Sequence, residues 1–277
     1  MPKIVGQKEL APKIKLFEIK APEIADKAKP GQFIIVVIEE KGERIPLTIA
    51  DINREKGTIS FVFNEVGKTT KQLGRFKKDD TVPNILGPLG TPSEIRNFGR
   101  VLCVAGGVMI GPMLLQVRAL RQAGNNVTAV MGARIEKLLF FEREMNDASH
   151  MLYVATDDGS KGHQGLGFLK DVLAKEKFDR CVAMGPVVMM KSVCEYTKQS
   201  GIPTVVTLMP IMVDGMGMCG ACRVTVGGET RFGCVDGPEF DGHLVDFDGL
   251  IKRQRMFLPE ERLSSLLWEK VGGEVFG

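Results

Sequence analysis

Val101-Leu-Cys-Val-Ala105-Gly106-Gly107-Val108-Met109-Ile110-Gly111-Pro112 is the stretch that decides the fold. A continuous apolar run, then a glycine pair, then an amphipathic run over Met113–Ala123 describe a buried strand turning into a helix. Gly124 can close that helix. Further along, Val127–Met131, Met151–Ala155, Cys181–Met184 and Thr204–Leu208 have strand character. Helical patterns over Leu138–Met145, Leu166–Ala174 and Val188–Lys198 separate them. Strands that are apolar on both faces and alternate with helices predict a parallel, doubly wound sheet.

Upstream the rhythm is different. Lys13–Lys20, Phe33–Glu39, Pro46–Ala50 and Thr58–Asn64 are short runs rich in Ile, Val and Phe, separated by Gly, Pro and Asn. Such spacing predicts a small antiparallel barrel or sandwich. Downstream, residues 210–242 are rich in Gly and Cys and lack helical periodicity. Arg223–Val226 and Glu229–Phe232 read as a hairpin about Gly227-Gly228, and 255–271 as one more helix. The chain therefore divides into 1–97, 98–209 and 210–277.

Bulk properties narrow the function classes. The chain has 277 residues and a net charge of +3. That charge gives no reason to expect nucleic acid or an anionic membrane. No apolar run approaches the roughly 18 residues of a membrane span, and the first residues lack a signal-peptide stretch. A cytoplasmic location is the expectation. There, the six cysteines are not expected to form a disulfide framework.

Cys219, Cys222 and Cys234 crowd a glycine-rich segment. Thiolates select soft metals, either zinc or iron–sulfur. The plant-type two-iron spacing is Cys-x4-Cys-x2-Cys with a distant fourth cysteine. Asp214 stands where the first cysteine of that spacing would be, so Asp214, Cys219, Cys222 and Cys234 are the candidate ligands of a [2Fe–2S] cluster. Structural zinc, with His243 as an available ligand, is the alternative. So is a plain core role for the cysteines, which is how Cys103, Cys181 and Cys194 are read.

The turns after the strands are candidate nucleotide contacts, because ligands of open α/β sheets lie outside the carboxyl ends of the strands. They comprise Gly106, Gly107 and Val108; Gly132, Ala133 and Arg134; Asp157 and Asp158; and Gly185 and Pro186. A packing turn or a surface arginine is the plain alternative. In the β region, Arg44, Pro46, Leu47 and Thr48 place a cation and a hydroxyl on one strand face. Asn64 ends a strand. Gly67, Lys68, Thr69 and Thr70 can begin a helix that receives an anion.

Together these residues resemble the ferredoxin–NADP reductase superfamily. Arg44-x-Pro46-x-Thr48 and Gly67–Thr70 are similar to its two flavin segments, Gly87-Pro88-Leu89-Gly90 to its exit from the barrel, and Gly106–Pro112 and Gly185-Pro186 to its nicotinamide turns. The cysteine spacing resembles the electron-transfer subunits related to that of dihydroorotate dehydrogenase. Aspartate in place of the first cysteine, Pro210–Gly215 and Gly237–His243 resemble the branch of small subunits of NADH-dependent reduced ferredoxin:NADP oxidoreductases. Met109 and Gly111 depart from the usual glycine and alanine, and Thr69 from a common glycine. The resemblance implies an FAD-binding barrel, an NAD(H)-binding Rossmann-like domain and a small C-terminal iron–sulfur segment. It also implies a heterodimer with a larger flavin and iron–sulfur subunit, which couples NADPH oxidation to reduction of NAD and ferredoxin by electron bifurcation. A hydride carrier and a one-electron cluster need a flavin between them. The competing expectations are an electron-transfer subunit of dihydroorotate dehydrogenase and a non-catalytic nucleotide-binding module with structural zinc.

Overall fold

The computed structural model describes residues 1–40 and 42–270. Residues 271–277, the end of the expected C-terminal segment and of its helix, lie outside the described residues. The first part contains β1 (Lys3–Ala11), β2 (Ile14–Lys20), α1 (Pro22–Lys27), β3 (Phe33–Val37), β4 (Arg44–Asn53), β5 (Thr58–Asn64), α2 (Lys68–Leu73) and β6 (Asn84–Leu89). The strands pair antiparallel in the order β1-β2-β5-β4-β3-β6. The chain before β6 returns to β1. Ile4 N–H donates to the Asp80 carbonyl, and Val82 N–H to that of Pro2, each at 2.9 Å. These bonds join the sheet's two edges, so the expected small β structure is a barrel rather than a sandwich.

Alternation along the strands fills it. Phe17, Ile19, Ile34, Val36, Ile59, Phe61 and Phe63 point inward and form one buried cluster. The Phe17 and Phe63 rings meet edge-on at 5.1 Å. The opposite face of β3 is also buried. Phe33, Ile35 and Val37 pack with Cys222 and Cys234, which is why Phe33–Val37 is apolar at every position.

The second part contains β7 (Arg100–Gly106), α3 (Ile110–Gln122), β8 (Asn126–Ala133), α4 (Glu142–Ala148), β9 (Met151–Thr156), β10 (His163–Gln164), α5 (Leu169–Lys175), β11 (Arg180–Met184), α6 (Val187–Gln199) and β12 (Thr204–Thr207). The third contains β13 (Arg223–Val226), β14 (Glu229–Phe232), β15 (Glu239–Asp241), α7 (Phe247–Gln254) and α8 (Leu258–Lys270). The large sheet runs β10-β9-β8-β7-β11-β12-β15. It is parallel apart from β15, which comes from the cysteine-bearing segment and pairs antiparallel with β12. Helices α3 and α4 cover one face, α5 and α6 the other. The strand order reverses between β7 and β11, and that switch opens a crevice beyond their carboxyl ends.

Some element bounds differ from the pattern. The expected helix over Leu138–Met145 begins instead at Glu142, because a short 3-10 turn at Glu136–Leu138 ends in extended Leu139 and Phe141, the residue before the helix, takes a left-handed conformation (φ 59°). The expected last helix over 255–271 is α8, and α7, just before it, was not foreseen. Helix α8 lies on α2. Lys71 Nζ reaches Ser265 Oγ at 2.8 Å, and the Arg75 guanidinium sits 4.5 Å over the Trp268 ring.

The barrel and the second part share a core in which Ala50 and Val62 pack with Ile110, Met113 and Val117 of α3. A Cβ added at Gly111 would meet Val62 Cγ2 at 2.8 Å and Ala50 Cβ at 3.3 Å. The helix can lie this close to the barrel because position 111 has no side chain. Gly111→Leu is expected to lower stability by about 1–3 kcal/mol through overpacking, read as a lower urea midpoint with an unchanged slope.

Candidate functional site

The cysteine segment begins as a loop organised by one carboxylate. Asp214 Oδ1 accepts from Met216 N–H at 2.8 Å. Its Oδ2 accepts from Met218 N–H at 3.1 Å and from Cys219 N–H at 2.6 Å. The Met216 amide first, then those of Cys219 and Met218, hold the Asp214 carboxyl below its ordinary value. Gly215 and Gly217 supply the positive φ angles of 74° and 87° that turn these amides inward. A carboxylate offers about four lone-pair directions, and the amides occupy three of them. Oδ1 therefore retains a lone pair for a metal.

Cys222 and Cys234 are buried, with their sulfurs 3.2 Å apart. Burial, then the adjoining Cys222 thiol, push the Cys234 thiol up to about 12, against which the Gly217 N–H acts. Two contacting thiols in an apolar pocket cannot both ionise unless a cation compensates them, which is the chemistry of a thiolate metal site. Cys219 is exposed, and its sulfur accepts from Ala221 N–H at 3.4 Å. Among the described residues, no three His, Cys, Asp or Glu groups already converge on one point. The donor set fits a soft-metal centre built on the Cys222–Cys234 pair, with Cys219 and Asp214 as further donors on the adjoining loop.

A cleft of ≈ 940 Å³ lies between the barrel and the carboxyl ends of the large sheet. Asn64, Gly106, Gly107, Val108, Gly132, Ala133, Arg134, Asp157 and Pro186 all line it. Gly107 (φ 58°) and Gly165 (φ 60°) have open space where a Cβ would stand. At Gly107 that leaves bare backbone beside the amino end of α3, a cradle suited to a dinucleotide's phosphates. Gly185 does not line the cleft. A Cβ there would meet Met189 Cε at 2.8 Å and Gly106 N at 3.1 Å, so this glycine lets the two switch-point turns pass each other. Asp158 is also elsewhere. Its carboxylate is spent on Ser160, accepting from N–H at 3.0 Å and from Oγ–H at 2.7 Å.

A smaller cavity of ≈ 100 Å³ adjoins the cleft at Val108. Pro46, Leu47 and Thr48 form its barrel wall, Val108, Met109 and Pro112 its α3 wall, and Thr207 to Pro210 with Met212 its far wall. The Thr207 hydroxyl is buried there without a hydrogen-bond partner. At ≈ 100 Å³ the cavity can hold only part of a flat group such as a flavin ring, whose apolar body and polar edge match walls of this chemistry.

Other expected contacts point away from the cavities. Arg44 shares a strand face with Pro46 and Thr48, but its guanidinium reaches the cysteine segment. Nε donates to the Val213 carbonyl at 3.1 Å and Nη2 to that of Asp214 at 3.3 Å. At α2, the buried Thr69 hydroxyl donates to Glu43. Thr70 Oγ1 accepts from Gly67 N–H at 3.1 Å, and Lys68 Nζ lies 3.8 Å from Glu39. The side chains of Lys68 and Thr69 thus turn to Glu39 and Glu43 and that of Thr70 caps the helix, while the flanking Val66 and Lys71 line the cleft. Sequence reasoning missed Gly165, Thr207 and Met212. Gly165 lay in a Gly-x-Gly run, whereas Thr207 and Met212 carried no local signal.

The contrast among the three thiols gives a test. In metal-free protein, iodoacetamide is expected to label the exposed Cys219 at least about tenfold faster than Cys222 or Cys234, because a thiol must be reachable and ionised to react. Peptide mass spectrometry over a time course reads the order. Equal rates would show that the pair is not protected.

Comparison with known proteins gives the lineage. Residues 210–246 match the family described as the iron–sulfur cluster binding domain of dihydroorotate dehydrogenase B. A protein encoded in the adh 3′ region of Clostridium beijerinckii is 50% identical, over 96% of this chain and 94% of its own. The Thermotoga maritima homologue of the dihydroorotate dehydrogenase B (NAD(+)) electron transfer subunit is 46% identical, over 98% of this chain and 96% of its own. A chain in the structure of the NADH-dependent reduced ferredoxin-NADP oxidoreductase, solved for insight into flavin-based electron bifurcation, superposes with a TM-score of 0.89. It is 45% identical over 95% of this chain and 96% of that one. The glycine-lined cleft, the adjoining cavity and the cysteine segment thus sit on a ferredoxin reductase-like frame, and the chain belongs to the family of dihydroorotate dehydrogenase B electron-transfer subunits and their homologues.

Proposed function

We propose that this chain is the small, electron-transferring subunit of a bifurcating NADH-dependent ferredoxin:NADP oxidoreductase. It exchanges hydride with NAD(H) at FAD and single electrons, through a [2Fe–2S] cluster, with a larger flavin and iron–sulfur subunit that deals with ferredoxin. The observation that carries this reading is spatial order. The nucleotide cleft and the smaller cavity share Val108. Phe33 and Met212 line that cavity and also pack against Cys222 and Cys234. A two-electron donor, a converter and a one-electron acceptor need this succession, and a bound flavin supplies the conversion.

The residues divide the work accordingly. The segment 1–97 offers Pro46, Leu47 and Thr48 to the flavin ring and Asn64 at the mouth of the cleft. The segment 98–209 offers the turns at Gly106–Val108 and Gly132–Arg134, with Asp157 and Pro186, to NAD(H). The segment 210–277 holds the cluster through Asp214, Cys219, Cys222 and Cys234. No acid–base group is required, since binding and orientation are the protein's contribution. Among the described residues no helix is long and apolar enough to cross a membrane. We place the protein in the cytoplasm, where its thiols stay reduced.

An electron-transfer subunit of dihydroorotate dehydrogenase is the second reading, favoured by the names of many relatives. Asp214 in place of a fourth cysteine weighs against it. Purified anaerobically, the protein is expected to show flavin and iron–sulfur absorption and to bring down a larger subunit from its native host. A colourless zinc protein would overturn the proposal. Asp214→Cys is expected to keep a [2Fe–2S] EPR signal with changed g-values and a shifted reduction potential. An unchanged spectrum would remove Asp214 from the ligand set.

A further inference from the structure

Among the described residues, Thr207 Oγ1 is one of the few buried side-chain polar atoms without a hydrogen-bond partner. The residue is 1% exposed and ends β12. Alternation along that strand sets its direction. Thr204 bonds Thr197 of α6 at 2.6 Å, and Val206 packs in the α6 core. Thr207 therefore faces the other side, toward α3 and the barrel, and it lines the smaller cavity. Thr48 and Thr207 are the only polar side chains on that lining, one from the barrel and one from the large sheet. A valine would pack at position 207 without burying an unmet hydroxyl. A hydroxyl held there calls for a partner that the protein's own side chains do not supply.

We propose that the Thr207 hydroxyl hydrogen-bonds the polar edge of the flavin ring and is a positioning residue for it. The inference rests on the reading that FAD occupies this cavity. Thr207 then ties the ring to the end of β12, from which the chain runs through Leu208 and Pro210 into the cysteine segment. A purely internal alternative exists. Gln116 of α3 also has an unpartnered buried Oε1. Its Nε2 donates at 3.1 Å to Glu239, the residue paired with Thr207 across β12 and β15. A buried water between Thr207 and Gln116 would satisfy both.

The test is FAD titration of the deflavinated full chain, followed by flavin absorbance, for wild type, Thr207→Val, Thr207→Ala and Thr207→Ser. The valine and alanine variants are expected to raise the FAD Kd about five- to tenfold. They should also shift the long-wavelength flavin band and the midpoint potential of the bound flavin, while the flavin-free protein melts no lower than wild type. Serine should restore all three. If wild type binds FAD and the valine and alanine variants match it in Kd, band and potential, the proposal falls. Loss of melting temperature in the flavin-free valine variant, reproduced by Gln116→Leu and without a flavin effect, would assign the hydroxyl to the buried water instead. If wild type takes up no FAD, the reading of the cavity falls and the proposal with it. Should valine fail to fold, the alanine and serine pair carries the same decision.

Discussion

The first turn of α3 rests directly on the barrel, and everything between the two halves depends on that contact. Val62 and Ala50 would stand 2.8 and 3.3 Å from any side-chain carbon at position 111. With glycine there, the helix and strands β4 and β5 share one buried core. The consequence is geometric. The amino end of α3, with its glycine turn, is fixed against the ends of the barrel strands. The cleft and the smaller cavity are the spaces left where the two surfaces diverge, and Val108 belongs to both. Had the halves been joined by a linker alone, neither space would have a defined width.

A second constraint couples the cysteine segment to the same frame. Phe33, Ile35 and Val37 give the barrel an apolar outer face, and Cys222 and Cys234 bury themselves on it. Antiparallel β15 then pins the segment to the edge of the large sheet. Arg44 adds a polar clamp on the carbonyls of Val213 and Asp214. Guanidinium is a fork of donors, so it can hold two successive carbonyls where an ammonium would hold only a point. The cysteine segment is thus held by the barrel and by the sheet at once, although it follows both in sequence.

What was legible in the sequence follows from range. Val101–Pro112 read as strand, turn and helix because each feature is local. Gly227-Gly228 read as a hairpin turn for the same reason, and both residues have the positive φ that a two-residue turn requires (61° and 81°). The shared face of Arg44, Pro46 and Thr48 was also visible, since strand alternation is local. What Arg44 meets on that face was not, because its partners lie about 170 positions away. Thr207 sat in an apolar strand and looked like core. Only the walls around it show that it lines a cavity and that its hydroxyl lacks a partner. Leu138–Phe141 misled because an apolar run of that length fits a helix as well as a bend. The left-handed Phe141 chose the bend and buried Phe140 against α3 and α4.

The cysteine segment has an inside and an outside, and the difference bears on access. Cys222 and Cys234 face the barrel, behind Phe33 and Met212, which also line the smaller cavity. Cys219 stands on an exposed rim. Around it, Val213, Met216, Met218 and Val235 are exposed apolar side chains on neighbouring turns, with Met218 at 83%. Loop surfaces that meet only water are more often polar, and clustered apolar exposure is what a covered surface looks like when uncovered. The two ends of the segment therefore differ in chemistry. One is sealed toward the nucleotide sites, and the other is presented outward on a loop that the Asp214 carboxylate holds in shape. A cluster held by Cys219 as well as by the buried pair would lie between the smaller cavity and this exposed rim, within reach of both.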